Sequence, residues 1–347
     1  MVTRLVLFFS SLLYQIGLSF DRWRKSKNAV RLPRPVISIG NITVGGTGKT
    51  PLLIRLAEDL KKYNVKPVVL SRGYRGPFRI SSRPQIILGS DVPMEEGLND
   101  EAFLVAERLV DVPVGVGVNR GKVGQMLIDS VPLDLFILDD GFQHWLLRRD
   151  WDIVCIDTTN PWGGGALLPK GRLREKITSL RRANVVVLTR CELSSADNVK
   201  ELISKIQGVN PKALILRTQF VSYLINSKDH KLMPENFLHG KKVVVLSSVG
   251  NPSSFELAVM KMGGSLFSIR FPDHHPYQDS DGDRVRSIVE KEKAIVVTTE
   301  KDWMKLKRGR WMETNPQMAF YILKINIKFM ESDENLWIRS LQPFLRR

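Results

Sequence analysis

The stretch that decides the fold is Val36-Ile37-Ser38-Ile39-Gly40-Asn41-Ile42-Thr43-Val44-Gly45-Gly46-Thr47-Gly48-Lys49-Thr50, an apolar segment of β type that enters a glycine-rich turn. Glycines let the backbone curl until successive N–H groups point at phosphate oxygens. Lys49 adds a positive charge, and the Thr50 hydroxyl can ligate Mg²⁺ at the start of the next helix. The stretch therefore predicts a nucleotide-binding phosphate loop over residues 43–50, although Thr43 stands where the usual pattern has glycine.

Length and charge set the limits for the rest of the chain. The 347 residues exceed what one core usually supports, so we expect two domains. The 52 basic and 36 acidic side chains give a net charge of +16, which indicates a polyanionic partner. Nucleic acid, anionic lipid and a phosphorylated substrate all fit, but no interleaving of aromatic and basic residues favours nucleic acid. Cys155 and Cys191 lie in or beside apolar segments without paired spacing, so we expect both to be reduced.

The amino terminus favours anionic lipid. Residues 5–20 are strongly apolar but fewer than the roughly 20 that a spanning helix needs. A poor cleavage site, Phe20-Asp21-Arg22-Trp23, argues against a secretory signal. Basic residues follow at once: Arg22, Arg24, Lys25, Lys27, Arg31 and Arg34. We therefore predict a membrane-associated interfacial helix over residues 1–30, and the alternative is a helix buried in the protein.

From residue 31 the sequence alternates strand and helix signals, which predicts an α/β fold with a mostly parallel sheet covered on both faces. Predicted strands lie at 36–39, 67–70, 112–116, 133–138, 152–156, 185–188 and 213–216, with helices after Thr50, Asp100, Arg120, Glu175 and Ser195. A second series has strands at 241–247, 265–269, 294–298 and 318–323 and helices at 253–262 and 281–291. Residues 218–240 between the two series are polar, and we expect them to be irregular with short hairpin-like pieces. We expect a catalytic domain at 31–217, a linker at 218–240 and a smaller α/β domain at 241–347.

Carboxylates mark the next candidate site. The apolar run 133–138 delivers Asp139 and Asp140 at its carboxyl end, where a nucleotide-binding sheet places the acid that holds Mg²⁺. We predict Asp139 for that role, directly or through water, while Asp140 shares the metal or orients the acceptor. A strand-terminal carboxylate that only caps a turn is the alternative. Asp100 opens a helix, where it either caps the helix or accepts a proton from an attacking hydroxyl.

Two loops combine arginine with glycine. Ser71-Arg72-Gly73-Tyr74-Arg75-Gly76 follows a strand, and a run from Trp162 to Glu175 precedes a helix. Arginine forks suit phosphate recognition and glycines let the backbone approach it, whereas solvated surface arginines are the plainer explanation. We predict that these loops and their neighbours bind substrate, through Arg72, Tyr74, Arg75, Asn99, His144, Arg172 and Arg174.

Seven motifs together resemble the tetraacyldisaccharide 4′-kinase family, the lipid A 4′-kinases, in order and as far as about residue 306. They are Gly-Asn-Ile-Thr-Val-Gly-Gly-Thr-Gly-Lys-Thr-Pro (40–51), Leu-Ser-Arg-Gly-Tyr-Arg-Gly (70–76), Asn-Asp-Glu (99–101), Asp-Asp-Gly-Phe-Gln-His (139–144), Leu-Pro-x-Gly-x-Leu-Arg-Glu (168–175), Phe-Pro-Asp-His-His (271–275) and Thr-Thr-Glu-Lys-Asp (298–302). The resemblance implies transfer of the ATP γ-phosphate to the 4′-hydroxyl of a tetraacylated glucosamine disaccharide 1-phosphate, which gives lipid IVA. It also implies a P-loop kinase-type domain, a peripheral amino-terminal helix and a smaller domain on a two-stranded linker.

The same resemblance implies roles for individual residues. Lys49 and Thr50 would serve the phosphates and Mg²⁺, Asp139 the metal, and Asp100 the catalytic base. A histidine of the second domain would support that base. His274 and His275 compete for this role, and we favour His274 because it directly follows Pro272-Asp273. The expected protein is a monomer on the cytoplasmic face of the inner membrane.

Two other classes of protein share some of these features. A membrane-attached switch ATPase or GTPase would also have a phosphate loop and a basic anchor. Against it, Val44 replaces the extra lysine of the membrane-cycling ATPases, and Thr189-Arg190-Cys191-Glu192 lacks the Asn-Lys-x-Asp pattern that reads guanine. The other alternative is a soluble small-molecule kinase, for which the apolar amino terminus would have no use.

Overall fold

The structure, a computed structural model, describes residues 2–72, 85–89, 100–250, 252–272, 275–307 and 318–345, without the side chains of residues 2–6, 8, 9, 12 and 100. The chain forms two compact units. Unit 1 comprises Met1–Phe220 and Ile327–Arg347, and unit 2 comprises Val221–Asn326. The phosphate loop and both aspartates of the candidate site belong to unit 1.

The sheet of unit 1 places the phosphate loop near its centre. Its strands are β1 (Val36–Asn41), β2 (Pro67–Ser71), β3 (Gln85–Ile87), β4 (Val114–Val116), β5 (Leu135–Asp139), β6 (Trp151–Asp157), β7 (Val185–Thr189) and β8 (Leu214–Asn226). Their order is β8-β7-β6-β1-β5-β2-β4-β3, and every pairing from β7–β8 to β2–β4 is parallel. Only β3 runs antiparallel, beside β4. All six residues of β1 are buried, as expected for a central strand covered on both faces.

Among the described residues, unit 1 has five α-helices before the chain enters unit 2: α1 (Val2–Lys27), α2 (Lys49–Lys62), α3 (Asp100–Arg108), α4 (Arg120–Ser130) and α5 (Ala196–Val209). The helix predicted after Glu175 is only a 3₁₀ helix, Ile177–Arg182. In the part of the chain that the structure describes, no helix is both long and apolar enough to cross a bilayer.

Unit 2 repeats the α/β pattern on a smaller scale. Its strands β9 (Lys242–Ser247), β10 (Ser265–Arg270), β11 (Ile295–Thr299) and β12 (Phe320–Phe329) lie in the parallel order β10-β9-β11-β12. Its helices are α6 (Pro252–Lys261), α7 (Asp279–Glu292) and α8 (Glu300–Leu306). The predicted α/β architecture with mostly parallel strands is therefore confirmed, and α8 and β3 are additions that the patterns did not indicate.

Residues 218–226, in the stretch expected to be irregular with short hairpin-like pieces, form the last nine residues of the 13-residue strand β8. The polar residues of 218–226 obscured the strand pattern because most side chains in this part are only half-buried, and within it Thr218 and Leu224 are the fully buried positions. The chain passes from unit 1 to unit 2 within β8 and returns within β12.

The carboxyl-terminal helix α9 (Asp333–Leu345) belongs to unit 1, so the predicted second domain at 241–347 extends too far. Trp337 is 0% exposed, and its indole Nε1 donates to Asp59 Oδ2 of α2 at 2.9 Å. The Trp337 ring also stacks on Phe329, with 5.0 Å between centroids. At the start of α9, Asp333 accepts from the backbone N–H of Arg217 at 2.7 Å and from its Nε at 2.9 Å. Burial of an amphipathic helix on α2 explains why residues far apart in sequence share one unit.

Replacing Trp337 tests this assignment. We expect Trp337→Ala to destabilise unit 1 by about 3–5 kcal/mol, because it removes a buried aromatic ring and one of the hydrogen bonds to the Asp59 carboxylate. Urea denaturation followed by circular dichroism measures the change. The matched control is Leu336→Ala, at a position 37% exposed on the same helix, which should cost less than about 1 kcal/mol. Equal unfolding midpoints for the two variants would contradict the packing of α9 on unit 1.

Candidate active site

Close packing fixes the shape of the phosphate loop at its last glycine. Gly48 precedes α2 with φ 88°, a left-handed backbone conformation that residues other than glycine rarely adopt. A Cβ there would also lie 2.8 Å from Cζ of Phe220 and 3.0 Å from Cγ2 of Thr189. Glycine is therefore required at this position, and Lys49 and Thr50 enter the first turn of α2 in a fixed direction.

Side chains from neighbouring strand ends hold the loop from outside. Asn41 Nδ2 donates to Thr47 Oγ1 at 3.0 Å, and Thr189 Oγ1 donates to the Thr47 carbonyl at 3.0 Å. Arg190 Nη1 donates to the Gly46 carbonyl at 2.9 Å. The residues of the Thr189-Arg190 turn thus support the phosphate loop, which is a different task from reading a guanine base.

Asp140 lies between two cations. Its carboxylate is 3.6 Å from Lys49 Nζ and accepts from Arg174 Nη1 at 2.7 Å and 3.0 Å. Burial alone would raise the pKa of Asp140, but Lys49 and Arg174 outweigh it and lower the pKa to about 2. Arg174 Nη1 also donates to Asn41 Oδ1 at 3.0 Å. Asp140 is therefore ionised at neutral pH and joins the lysine of the phosphate loop to the 162–175 loop.

Asp139 lies in the opposite electrostatic situation. Part of the Asp139 side chain reaches solvent, but its surroundings exclude enough water to raise its pKa. The carboxylates of Glu101 and Asp140 raise the pKa further, and it reaches about 6. The one hydrogen bond from a side chain is donated by Ser71 Oγ, at 3.3 Å, among the described residues. A carboxylate that is costly to ionise in its surroundings favours a cation beside it.

Oxygen ligands of the kind Mg²⁺ prefers are present here. Asp139 supplies a carboxylate and Thr50 a hydroxyl at the start of α2. No cluster of three or more His, Cys, Asp or Glu side chains suited to a metal occurs among the described residues. Mg²⁺ in nucleotide sites usually takes one or two protein oxygens and completes its shell with phosphates and water, so these residues fit Mg²⁺ bound together with ATP.

Arg120 is a site residue that the sequence patterns missed. It begins α4, is 4% exposed, and lies against Asp139, whose carbonyl accepts from Nη2 at 3.3 Å. Its Nη1 is 2.8 Å from His144 Nδ1. Burial lowers the pKa of Arg120 to about 10, and burial together with Arg120 and Arg149 lowers the pKa of His144 to about 3. His144 is therefore neutral. Because an arginine guanidinium can only donate, Nδ1 of His144 accepts the hydrogen bond from Arg120 and Nε2 of His144 carries the proton.

Three buried polar atoms around this pair have no hydrogen-bond partner within the described ranges: Arg120 Nε, His144 Nε2 and Gln143 Oε1. Such atoms cost free energy in a nucleotide-free protein unless a ligand or water satisfies them. Two are donors and one is an acceptor, a combination that suits hydroxyl and phosphate oxygens. A lone arginine at the start of a helix carries no such signal in sequence, since most are surface residues.

Glu175 is the second residue that sequence reasoning missed. It is 4% exposed, and its Oε1 accepts from Gln143 Nε2 at 2.9 Å and from Arg182 Nη2 at 3.0 Å. Gln143 Nε2 also donates to the Asn41 carbonyl at 2.9 Å. Glu175 thereby joins the Phe-Gln-His motif to the 162–175 loop. The position of Glu175 in the Leu-Arg-Glu motif was the only indication of its role in the sequence. The identity of a residue as glutamate does not reveal whether its carboxylate is buried.

The predicted site residues divide into three groups. Lys49, Asp139, Asp140, His144 and Arg174 lie together in unit 1 through the contacts given above. Arg72 follows β2, and its charge lowers the pKa of both Arg120 and His144. Arg172 is exposed, with its guanidinium beside Gly45. Asp100 begins α3, but its side chain lies outside the described residues, as do Tyr74, Arg75, Asn99 and His274.

In unit 2, His275 is held by neighbours of its own unit. Its Nε2 is 2.8 Å from Asp281 Oδ2, and its ring stacks on Phe271 with 4.4 Å between centroids. The Tyr277 ring meets it edge-on at 5.4 Å. These contacts fix the ring within the 271–281 segment.

Comparison with known proteins identifies relatives along nearly the whole chain. Residues 3–342 match the model of the LpxK family, described as tetraacyldisaccharide-1-P 4′-kinase. The tetraacyldisaccharide 4′-kinase of Syntrophus aciditrophicus is 37% identical over 349 residues, which cover 96% of this chain and 91% of that protein. The enzyme of the same name from Halothermothrix orenii is 35% identical and covers 93% and 89%. A crystal structure of LpxK from Aquifex aeolicus in complex with ATP superposes with a TM-score of 0.74, at 28% identity, over 99% of this chain and 100% of that one.

The raised pKa of Asp139 leads to a prediction about stability. Because the folded protein binds the proton more tightly than the unfolded chain, Asp139 destabilises the nucleotide-free protein progressively as pH rises from about 4, and fully above about pH 6. We expect Asp139→Asn to raise stability by about 1–2 kcal/mol at pH 8 and by clearly less at pH 4.5, where the carboxyl is protonated in the folded protein but already largely ionised in the unfolded chain. Thermal unfolding at the two pH values measures the difference. The control is Asp134→Asn, at a half-exposed position before β5 where the amide oxygen can still accept from the Lys66 N–H. A gain of the same size at both pH values for Asp139→Asn would contradict the assignment.

Proposed function

Because the chain belongs to the LpxK family of tetraacyldisaccharide-1-P 4′-kinases, which act in lipid A biosynthesis, we propose roles in that reaction for the residues of its site. The enzyme transfers the γ-phosphate of ATP to the 4′-hydroxyl of the acylated disaccharide 1-phosphate. The observation that carries the proposal is the Lys49–Asp140–Arg174 group beside the phosphate loop. Membership in this family argues against a switch ATPase acting through protein partners.

At the phosphate end, backbone N–H groups of the loop and the Lys49 ammonium bind the ATP phosphates. Asp140 holds Lys49 close to the loop, since a lysine side chain left free would sample many rotamers. Arg174, fixed by Asp140 and Asn41, adds a second cation on the same side. Phosphoryl transfer demands positioning and neutralisation of charge more than covalent chemistry, and these side chains supply both.

We assign Mg²⁺ to Thr50 and Asp139. The support is the chemistry of these oxygen donors and the raised pKa of Asp139, which results from burial and, after it, from the carboxylates of Glu101 and Asp140. The ion would neutralise charge on the β- and γ-phosphates when bound. Ser71 orients the Asp139 carboxylate through its hydroxyl.

On the acceptor side, Arg120, Gln143 and His144 bind oxygens of the disaccharide. Their buried unpartnered atoms support this role, because a sugar hydroxyl or phosphate oxygen satisfies them and water is displaced. Arg72 and Arg172 extend the basic lining towards solvent, and Tyr74, Arg75 and Asn99 are proposed to complete it on the strength of the family motifs.

Asp100 is the proposed base, which accepts the proton of the 4′-hydroxyl as that oxygen attacks phosphorus. His274 is proposed to support it by stabilising its charged form. The support for His274 over its neighbour is that His275 is engaged by Asp281 and Phe271 within unit 2. Asp140 is a poor base in comparison, since two cations lower its pKa to about 2.

The amino-terminal helix α1 is proposed to lie on the cytoplasmic face of the inner membrane. Leu13, Ile16, Phe20 and Trp23 recur at helical spacing and are between 55% and 69% exposed. Lys25 and Lys27 end the same helix. An apolar face with a basic end suits an anionic bilayer surface, where the acyl chains of the substrate remain.

The proposed base is tested in a kinase assay. We expect Asp100→Ala to lower kcat by about 10²- to 10⁴-fold, because general base catalysis is lost while the phosphate loop is intact. Transfer of ³²P from labelled ATP to tetraacyldisaccharide 1-phosphate in detergent micelles measures it, with the pH profile of kcat/KM recorded for each variant. His274→Ala should show a smaller loss and His275→Ala a loss only through stability.

The matched control for the base is Asp197→Ala, which removes a carboxylate that is 94% exposed near the start of α5. It should retain wild-type kcat. Turnover by Asp100→Ala at the rate of this control would show that another group accepts the proton.

The membrane contact is tested separately by vesicle flotation. We expect the Phe20→Ser, Trp23→Ser double variant to bind vesicles of anionic phospholipid at least about tenfold more weakly, because two large apolar side chains no longer enter the interface. Wild-type protein should bind anionic vesicles better than zwitterionic ones, and more weakly as salt rises. Failure of the wild-type protein to float with anionic vesicles would refute the contact.

A further inference from the structure

We propose that α1 also has a part in the active site: Ser11 and Tyr14 are positioning residues that hold the 167–174 segment against the phosphate loop. The inference rests on the roles proposed above for Arg174 and Asp140. It concerns the face of α1 that contacts the 167–174 segment. A helix proposed to bind the membrane would thereby also affect nucleotide binding, through that segment.

Two side chains of α1 bond to the backbone of the segment. Ser11, 9% exposed, donates its hydroxyl to the Leu167 carbonyl at 3.1 Å and accepts from the Lys170 N–H at 3.4 Å. Tyr14 donates its hydroxyl to the Arg174 carbonyl at 3.1 Å. Burial raises the pKa of Tyr14, so its hydroxyl remains a donor at any physiological pH.

From the segment, backbone bonds lead directly into the phosphate loop. The Val44 N–H donates to the Arg172 carbonyl at 2.8 Å, and the Arg174 N–H donates to the Ile42 carbonyl at 2.7 Å. The Arg174 side chain continues to Asp140, which pairs with Lys49. The carbonyl that Tyr14 engages and the guanidinium that pairs with Asp140 therefore belong to one residue.

The two faces of α1 are separate. At 100° per residue, Ser11 and Tyr14 lie on one side of the helix, and Ile16, Phe20 and Trp23 lie roughly opposite. One side bonds to the 167–174 segment and the other is exposed. A change on either side can thus be made without touching the other.

The segment itself needs such support because it has little regular structure. Its internal bonds are turn-like, such as the Leu168 N–H to the Leu173 carbonyl at 2.9 Å and the Gly171 N–H to the Leu167 carbonyl at 3.0 Å. Isolated turns of this kind are weakly ordered, and docking on a rigid helix reduces the entropy that is lost when Arg174 must take one position. The hydroxyls of α1 supply that docking.

The test measures nucleotide affinity without lipid. We expect Tyr14→Phe to weaken binding of a nonhydrolysable ATP analogue with Mg²⁺ by about 3- to 10-fold, the effect of one neutral hydrogen bond. The Ser11→Ala, Tyr14→Phe double variant should lose at least about tenfold, with a matching fall in kcat/KM for ATP in micelles. Titration calorimetry gives the affinity, thermal unfolding the midpoint and flotation the membrane binding.

Ser19→Ala is the matched control, since the Ser19 hydroxyl lies on the same helix and, as far as the described residues show, donates within that helix to the Gln15 carbonyl. It should match wild type in all three measurements. The proposal predicts lower nucleotide affinity in the double variant at unchanged midpoint and flotation. It is overturned if the double variant binds nucleotide as wild type does, or if its affinity falls only together with the midpoint or the flotation.

A further variant separates this inference from the function on which it rests. Arg174→Met removes the guanidinium but leaves the carbonyl that Tyr14 bonds. If Arg174→Met binds nucleotide with wild-type affinity, the role proposed for Arg174 is wrong. If Arg174→Met loses affinity while the double variant does not, the role of Arg174 stands and the positioning role of α1 is wrong.

Discussion

The pairing of Asp140 with both Lys49 and Arg174 is the interaction on which the site depends. It brings the first turn of α2, the end of β5 and the 162–175 loop to one point, although these segments are far apart in sequence. Without the carboxylate, two cations would repel each other across a space that ATP has not yet filled. With it, both stand beside the phosphate loop before nucleotide arrives, and less ordering is needed on binding.

The two adjacent aspartates show how position decides role. Asp140 is ionised well below neutral pH because Lys49 and Arg174 lie beside it, whereas burial, together with the carboxylates of Glu101 and Asp140, raises the pKa of Asp139 to about 6. Identical side chains one residue apart thus differ by several units in proton affinity. Asp140 is suited to holding cationic side chains and Asp139 to binding a metal ion. The sequence Asp-Asp alone does not predict this difference.

The sequence was sufficient for the parts governed by local patterns. Apolar β1, the glycine turn and α2 follow from residue types that admit few other conformations, and the motifs identified the family. Arg120, Glu175 and α9 were missed because their significance comes from burial and from partners distant in sequence. The same reason explains β8, whose half-buried residues carry no clear alternation, and the placement of Trp337 against Asp59.

Arg120 Nε and His144 Nε2, which have no hydrogen-bond partner among the described residues, indicate how substrate selectivity can arise. A buried donor without an acceptor destabilises the nucleotide-free protein where water does not satisfy it, and a ligand that places oxygen at the same point recovers that cost. A ligand lacking that oxygen would leave the cost in place and would also displace any water there. Discrimination between the disaccharide and other ligands then comes from the free-energy cost of the unsatisfied donors in the folded protein. It requires no additional contact with the correct disaccharide.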